Sequence, residues 1–186
     1  DNWTFEGGVY GAFKELDHPI PVVLVQDSRN LGAFGRLDWT GELGGMNADL
    51  FVGAWLRDGK LDGLTFQNIA GERGAQTGDN TQRATALDVF AEGRLFVTER
   101  LALVAGGSWG RATRDYVGHV DPWRSAEKDF EWFAPRLGLL WEGESGWQAF
   151  ANLTRSVEPP HFSALVQTPY PDFVPVEAQE AWTVEI

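Results

Sequence analysis

Few side chains in this sequence have the type and spacing that catalysis or metal binding requires. Cysteine is absent, and the three histidines lie far apart: His18, His119 and His161. Asp115, His119 and Asp121 could gather around a cation, and His161 with Ser163 could belong to a hydrolase, but ordinary loop polarity explains both groups better. We therefore predict no enzyme, no catalytic residue, no metal site and no cofactor.

Charge and composition exclude two further classes of protein. The 186 residues include 27 acidic and 15 basic side chains, a net charge of -12, which would repel a nucleic-acid backbone. The longest aliphatic run, residues 22–25, is far shorter than the roughly 20 residues of a membrane-spanning helix. Nine tryptophans and 22 glycines are instead typical of lipid-facing β structure.

Hydrophobic residues recur with a period of two, which predicts an all-β protein. The pattern divides the chain into eight strand-like runs: 3–14, 30–42, 46–57, 83–97, 100–114, 131–142, 146–157 and 177–186. In the second run, Leu31, Leu37 and Trp39 fall on one face. Arg36 and Asp38 fall on the other. Such runs match strands that cross a bilayer with one apolar and one polar face.

The connections between the runs alternate between short and long. Short ones fall at 41–45, 98–99 and 142–146, and long ones fall at 15–29, 58–82, 115–130 and 158–176. Outer-membrane barrels have short turns at one end and long loops at the other. The sequence therefore predicts about eight strands of an antiparallel, up-and-down transmembrane β-barrel wall.

Tryptophans cluster at the short-turn end of the predicted strands. Trp3, Trp39, Trp141 and Trp147 lie there, as expected of membrane-interface aromatics, while Trp55 and Trp132 lie towards the other end. Because the aromatic residues favour one end of the strands, they support a membrane barrel over a soluble sandwich core.

The last third of the chain resembles a known family. Residues 133–141 read FAPRLGLLW and residues 147–160 read WQAFANLTRSVEPP. This pair resembles a hairpin of TonB-dependent outer-membrane receptors of the ferric-siderophore type, and residues 177–186 resemble the strand that follows. The resemblance covers about residues 130–186. It implies bacterial outer-membrane localisation, contact with lipid, transport of an iron chelate or similar nutrient, and TonB as a partner.

The same resemblance sets the expected domain organisation. Barrels of this kind have about 22 strands around a plugged lumen, so residues 1–186 would form part of the wall. We find neither a plug domain nor a TonB box in the sequence, and we expect this chain to be a piece of a larger barrel.

Four arginines near the long-loop end are candidates for ligand contacts: Arg57, Arg83, Arg114 and Arg155. We predict that they face the lumen, where guanidinium groups would attract a negatively charged chelate. Ion pairs with lumenal carboxylates are the alternative role for each of them.

Two other functions remain open at this stage. A passive pore or a small closed outer-membrane barrel, acting as an adhesin or structural protein, would share the strand pattern. A soluble β-barrel module that binds a small ligand would share the alternation of apolar and polar residues. Neither accounts for the receptor-like hairpin.

Overall fold

A computed structural model describes residues 2–167 and 172–186 and shows one antiparallel sheet of eight strands. The strands are β1 (Asn2–Pro19), β2 (Val22–Leu43), β3 (Met46–Ile69), β4 (Glu72–Phe96), β5 (Leu101–Gly118), β6 (Ala126–Glu142), β7 (Gln148–Glu158) and β8 (Gln179–Glu185). A short helix, α1 (Phe162–Leu165), lies between β7 and β8. Within the described residues, no helix has the length and apolar character needed to cross a bilayer.

The sheet order follows the chain order from β1 to β8, so each strand pairs with its neighbours in sequence. This up-and-down order confirms the predicted fold class. In the described residues β1 and β8 are the two edges of an open sheet and do not pair with each other. The open sheet argues against a small closed barrel and fits a piece of a larger wall.

Two predicted long loops are wrong, because the strands continue through most of both segments. β1 and β2 pair as far as Pro19 and Val23, so the predicted loop 15–29 is reduced to a tight turn at residues 20–21. The predicted loop 58–82 is reduced to a turn at Ala70 and Gly71, whose φ angles of 55° and 96° suit a mirror-image hairpin turn. The strand pattern was missed because apolar and polar side chains do not alternate there: residues 22–25 are apolar on both faces, and residues 26–30 are polar on both faces.

The other two long connections are partly confirmed. β5 and β6 extend into the predicted loop 115–130 and leave residues 119–125 as the connection, with a 3-10 turn at Pro122–Arg124. Residues 159–178 connect β7 to β8, and their described part includes α1. We call the end of the sheet with these connections the upper end, and the end with the predicted short turns the lower end.

The cross-strand register separates the side chains onto two faces. One face carries an apolar belt, and we call it the lipid face; its members include Leu37 on β2, Val52 on β3 and Ala91 on β4, which are directly paired. The opposite face, which we call the lumen face, carries Arg36 and Asp38 among others. The apolar belt confirms the predicted alternation in the lower part of the strands.

The upper edge of the belt crosses the strands obliquely. The belt ends at Leu31 on β2, at Leu56 on β3, at Leu87 on β4 and at Trp109 on β5. Leu31 pairs with Asp58, which is two residues above Leu56, so the belt ends one same-face step (two residues) lower on β3 than on β2. Leu87 pairs with Arg111, which is two residues above Trp109, so the belt also ends one such step lower on β5 than on β4. Such an offset is expected when strands are tilted relative to the bilayer normal.

Pairing between β6 and β7 covers only the lower part of β6. It ends at Arg136 and Thr154, next to Pro135, which has no backbone N–H to donate. Above that point β6 remains paired with β5, and β7 is paired with β8. We call the opening between the upper parts of β6 and β7 the wedge.

Candidate ligand-binding pocket on the lumen face

A cavity of about 410 Å³ lies in the upper part of the lumen face. It extends across the strands from β1 to β6, and residues from the end of β7 and the start of the β7–β8 connection close one side. Polar and aromatic side chains line it: Tyr10, Asn30, Arg57, Asp88, Arg114 and Trp132. The pocket is thus built from strands that are fixed by backbone pairing, with the connection as its variable part.

Two of the four predicted arginines meet in this pocket. Arg57 on β3 donates a hydrogen bond to Asp88 on β4, whose side chain is only 18% exposed. Arg114 on β5 lines the same cavity and donates to the carbonyl of Thr113 at 3.1 Å. The cavity therefore holds two guanidinium groups, of which Arg57 is paired with Asp88, and the carboxylate of Glu158 lies on its other side. The guanidinium groups are the part of the lining that suits an anionic ligand.

Aromatic rings form the apolar part of the pocket and depend on glycines opposite them. Gly32 pairs with Tyr10, and a Cβ at Gly32 would lie 2.3 Å from the Tyr10 ring. Gly110 pairs with Trp132, and a Cβ there would lie 2.1 Å from the indole. Both rings lie against a glycine backbone, so a side chain at either glycine would displace the ring.

The β7–β8 connection brings further polar groups to the pocket. His161 in this connection and Glu158 at the end of β7 both line the cavity, with His161 Nε2 3.7 Å from Glu158 Oε1. A few residues further on, Leu165 is fully buried, and its carbonyl accepts a hydrogen bond from Val174 N at 2.8 Å. The hydrogen bond holds two parts of this connection together around a buried leucine.

Below the pocket the lumen face carries an aromatic and charged cluster that the sequence analysis did not identify. Phe34 stacks on Trp55 with ring centroids 4.7 Å apart. Arg36 lies over the Phe51 ring at 4.1 Å and pairs with Asp38 at 2.6 Å. The sequence alternation could have identified this cluster, because it puts residues 34, 36 and 38 and residues 51, 53 and 55 on the face opposite the belt.

The lumen orientation predicted for the other two arginines is wrong. Arg83 lies on the lipid face above the belt, 3.8 Å from Asp115. Arg155 also lies on the lipid-face side, where it pairs with Glu180 at 2.6 Å and donates to the carbonyl of Phe133 at 2.6 Å across the wedge. Residues an odd number of positions apart on one strand lie on opposite faces. Arg83 and Arg155 lie in polar stretches of sequence, where no apolar alternation shows which face each position occupies.

The four tryptophans predicted at the membrane interface lie at the lower end of the sheet. Trp3 and Trp39 are cross-strand partners with ring centroids 6.2 Å apart. Trp141 is at the end of β6 on the lipid face, and Trp147, in the following turn, is 75% exposed. These positions suit contact with headgroups, and that role stays a prediction.

No metal centre is found in residues 2–167 and 172–186, since they contain no group of three or more histidine or acidic side chains that could hold an ion. Of the residues considered for a cation site, Asp115 faces Arg83 instead. His119 Nε2 lies 3.0 Å from the hydroxyl of Thr81.

A comparison with protein families decides which barrel this is. The family model for the β-barrel of TonB-dependent receptor-like proteins matches residues 1–186. The chain belongs to the TonB-dependent receptor β-barrel family. It is accordingly a protein of the bacterial outer membrane, and the family consists of receptors and transporters rather than enzymes.

Solved structures share the fold of this TonB-dependent receptor barrel chain at low sequence identity. The siderophore receptor PiuA from Acinetobacter baumannii matches with a TM-score of 0.76 and 11% identity over 99% of this chain and 34% of that one. The unliganded ferric citrate transporter FecA matches with 0.74 and 12% over 98% and 29%. The ferric yersiniabactin receptor FyuA from Yersinia pestis matches with 0.70 and 14% over 99% and 30%.

The chain therefore spans about a third of the length of these receptors. A comparison with curated protein sequences finds no match. Strands β1–β8 share their fold with part of the barrel wall in these larger receptors.

Proposed function

We propose that this chain is part of a receptor that imports an anionic metal chelate, with a ferric siderophore as the chelate and TonB as the source of mechanical energy. The observation that carries the proposal is the lumen-face pocket, in which Arg57 and Arg114 meet Tyr10 and Trp132. Guanidinium groups bind carboxylate or catecholate oxygens, and the aromatic rings offer flat apolar surface to the organic part of a chelate.

The domain arrangement is part of the same proposal. Residues 1–186 form wall strands, while the plug domain and the segment that contacts TonB belong to other parts of the protein. Proteins with the same fold support the class of ligand, because FecA is a ferric citrate transporter, FyuA is a ferric yersiniabactin receptor and PiuA is a siderophore receptor. No covalent chemistry is required of the wall itself. Its strands pair their backbone N–H and C=O groups with one another, as a lipid environment demands, and they supply a selective pocket.

The experiment measures binding to the full-length protein that contains this chain, purified in detergent. The probes are ferric citrate, ferric yersiniabactin and ferric pyoverdine, which cover carboxylate, phenolate and catecholate oxygens. We expect at least one probe to bind. Arg57→Gln and Arg114→Gln should each weaken it roughly 10- to 100-fold, as expected for the loss of a charge-assisted hydrogen bond.

The matched control is Arg111→Gln, which removes a guanidinium from the same strand as Arg114 but from the lipid face, where it pairs with Asp129. Its affinity should equal that of the unmodified receptor. The proposal fails if none of the three chelates binds, or if Arg111→Gln weakens binding as much as the two pocket variants do.

A further inference from the structure

The floor of the lumen-face pocket consists of small residues, and charged side chains stand around it. Four small residues form this floor: Gly59, Ala84, Ala86 and Ala112. In the cross-strand register, Ala84 pairs with Arg114 and Ala86 pairs with Arg57. The two guanidinium groups therefore flank β4 where its lumen-face side chains are single methyl groups. A ligand that rests on this floor lies within reach of both.

The two guanidinium groups differ in their partners. Arg57 pairs with Asp88, whereas the hydrogen bond of the half-buried Arg114 goes to the carbonyl of Thr113. Within residues 2–167 and 172–186, no carboxylate pairs with Arg114. Its partner in the register on β6 is Lys128, another cation. The charge of Arg114 is therefore the unbalanced positive charge of the pocket, and a half-buried charge favours the binding of an anion.

The opposite side of the pocket carries an unbalanced negative charge. Glu158 lines the cavity there, and His161, 3.7 Å away, is a cation only when it is protonated. In the described part of the chain no lysine or arginine pairs with Glu158, whose side chain is 70% exposed. Asp58, the remaining acid of the lining, pairs with Arg29 at 3.9 Å. The pocket thus has a positive side at Arg114 and a negative side at Glu158.

We propose that this pocket selects a chelate that carries charges of both signs. Oxygen anions of the chelate bind Arg114, and an ammonium group on its organic part binds Glu158. The inference rests on the proposed function and narrows its class of ligand. A chelate with anionic groups alone leaves Glu158 unpaired and brings like charges together, so charge complementarity favours the chelate with an ammonium group.

Two ferric complexes that differ in one charge test the proposal on the full-length protein in detergent. One is the ferric complex of 2,3-dihydroxybenzoyl-lysyl-serine, whose lysine has a free ammonium group, and the other is the same complex with that amine acetylated. The unmodified protein should bind the first roughly three- to fivefold more tightly, as expected for an exposed ion pair. Acetylation makes the complex more negative, so attraction to the arginines alone would favour the acetylated form.

Three variants assign the preference to a residue. Glu158→Gln should reduce the ratio of the two affinities to about one. The matched control Glu127→Gln removes an exposed carboxylate from the opposite face of neighbouring β6, and it should keep the ratio of the unmodified protein. Arg114→Gln should weaken both complexes by the same factor, because it removes the contact that the two complexes share.

Three results would overturn the proposal. The first is that the unmodified protein binds both complexes equally well or prefers the acetylated one. The second is that the preference for the ammonium form persists in Glu158→Gln, which would assign it to another group. The third is that neither complex binds while ferric citrate, ferric yersiniabactin or ferric pyoverdine does. In that case the proposed function stands and this inference fails. The first and third measurements need no variant, so they hold even if Glu158→Gln fails to fold.

Discussion

The two faces of this wall are built from the same strands, but one face is an apolar surface for lipid and the other carries the polar pocket. On β5, Arg114 enters the polar pocket, while Arg111, three residues away, points towards the membrane side. On β2, Leu37 lies in the belt and Arg36 lies over an aromatic ring on the other face. Since a strand has a period of two, a single residue step decides whether a side chain meets lipid or ligand. The comparison can be tested by moving charge, volume or an ion pair from one face to the other.

A charge placed in the belt should have the largest effect. Leu37→Arg puts a cation in the middle of the lipid face of β2, which costs roughly 2–4 kcal/mol in a membrane barrel. The measurement is the free energy of unfolding in lipid bilayers by urea titration. The control Thr40→Arg adds the same side chain to the lumen face of the same strand and should change that free energy by less than about 0.5 kcal/mol. Equal losses in both variants would contradict the assignment of the faces.

Added volume at a lumen-face glycine should have the next largest effect. Gly110→Ala would press its methyl group into the Trp132 ring, at a cost of about 1–3 kcal/mol in thermal unfolding. The double variant Gly110→Ala/Trp132→Ala removes the clash and should recover part of the loss. On the lipid face, the nearest heavy atom to a Cβ at Gly93 is 3.8 Å away, so Gly93→Ala should be tolerated. Destabilisation by Gly93→Ala as severe as that by Gly110→Ala would refute this difference between the faces.

The smallest effect is expected for an exposed ion pair above the belt. Arg83 and Asp115 are 3.8 Å apart, and the arginine side chain is 59% exposed. Solvent screening limits such a pair to less than about 1 kcal/mol. Arg83→Gln should therefore leave the free energy of unfolding in lipid-free detergent nearly unchanged at any salt concentration. A large, salt-sensitive loss would show that the lipid face above the belt contributes to stability as the belt does.

The lower half of the wall was predictable because contact with lipid alone determines which of its residues are apolar. Between Leu31 and Leu43 every second residue of β2 lies on the apolar lipid face, and this alternation fixed the strand, its faces and its short turn. The hairpin of β6 and β7 gave the family, through the residues 133–141 and 147–160. In both regions lipid imposes one requirement on every second side chain.

The upper half could not be predicted in the same way. Above the belt both faces meet polar surroundings, so the alternation that identifies a strand disappears although backbone pairing continues to residues 69 and 72. The same loss of pattern hid the orientation of Arg83 and Arg155. Arg57, by contrast, is the last residue of the alternating run 46–57, and the structure has it in the lumen-face pocket. The burial of Leu165 depends on tertiary packing, and the local sequence pattern gives no sign of it.

The wedge gives this wall an uneven resistance to bending. Above Arg136 the wall consists of a six-stranded sheet and a two-stranded ladder, and the described contacts between them there are side-chain contacts, such as the one from Arg155 to the carbonyl of Phe133. Changing the angle between these two parts breaks side-chain hydrogen bonds and leaves both backbone ladders intact. The lower seam, where β6 and β7 are fully paired, acts as the fold line. At the seams that are paired over their full length, such as that between β1 and β2, the same change of angle would break backbone hydrogen bonds.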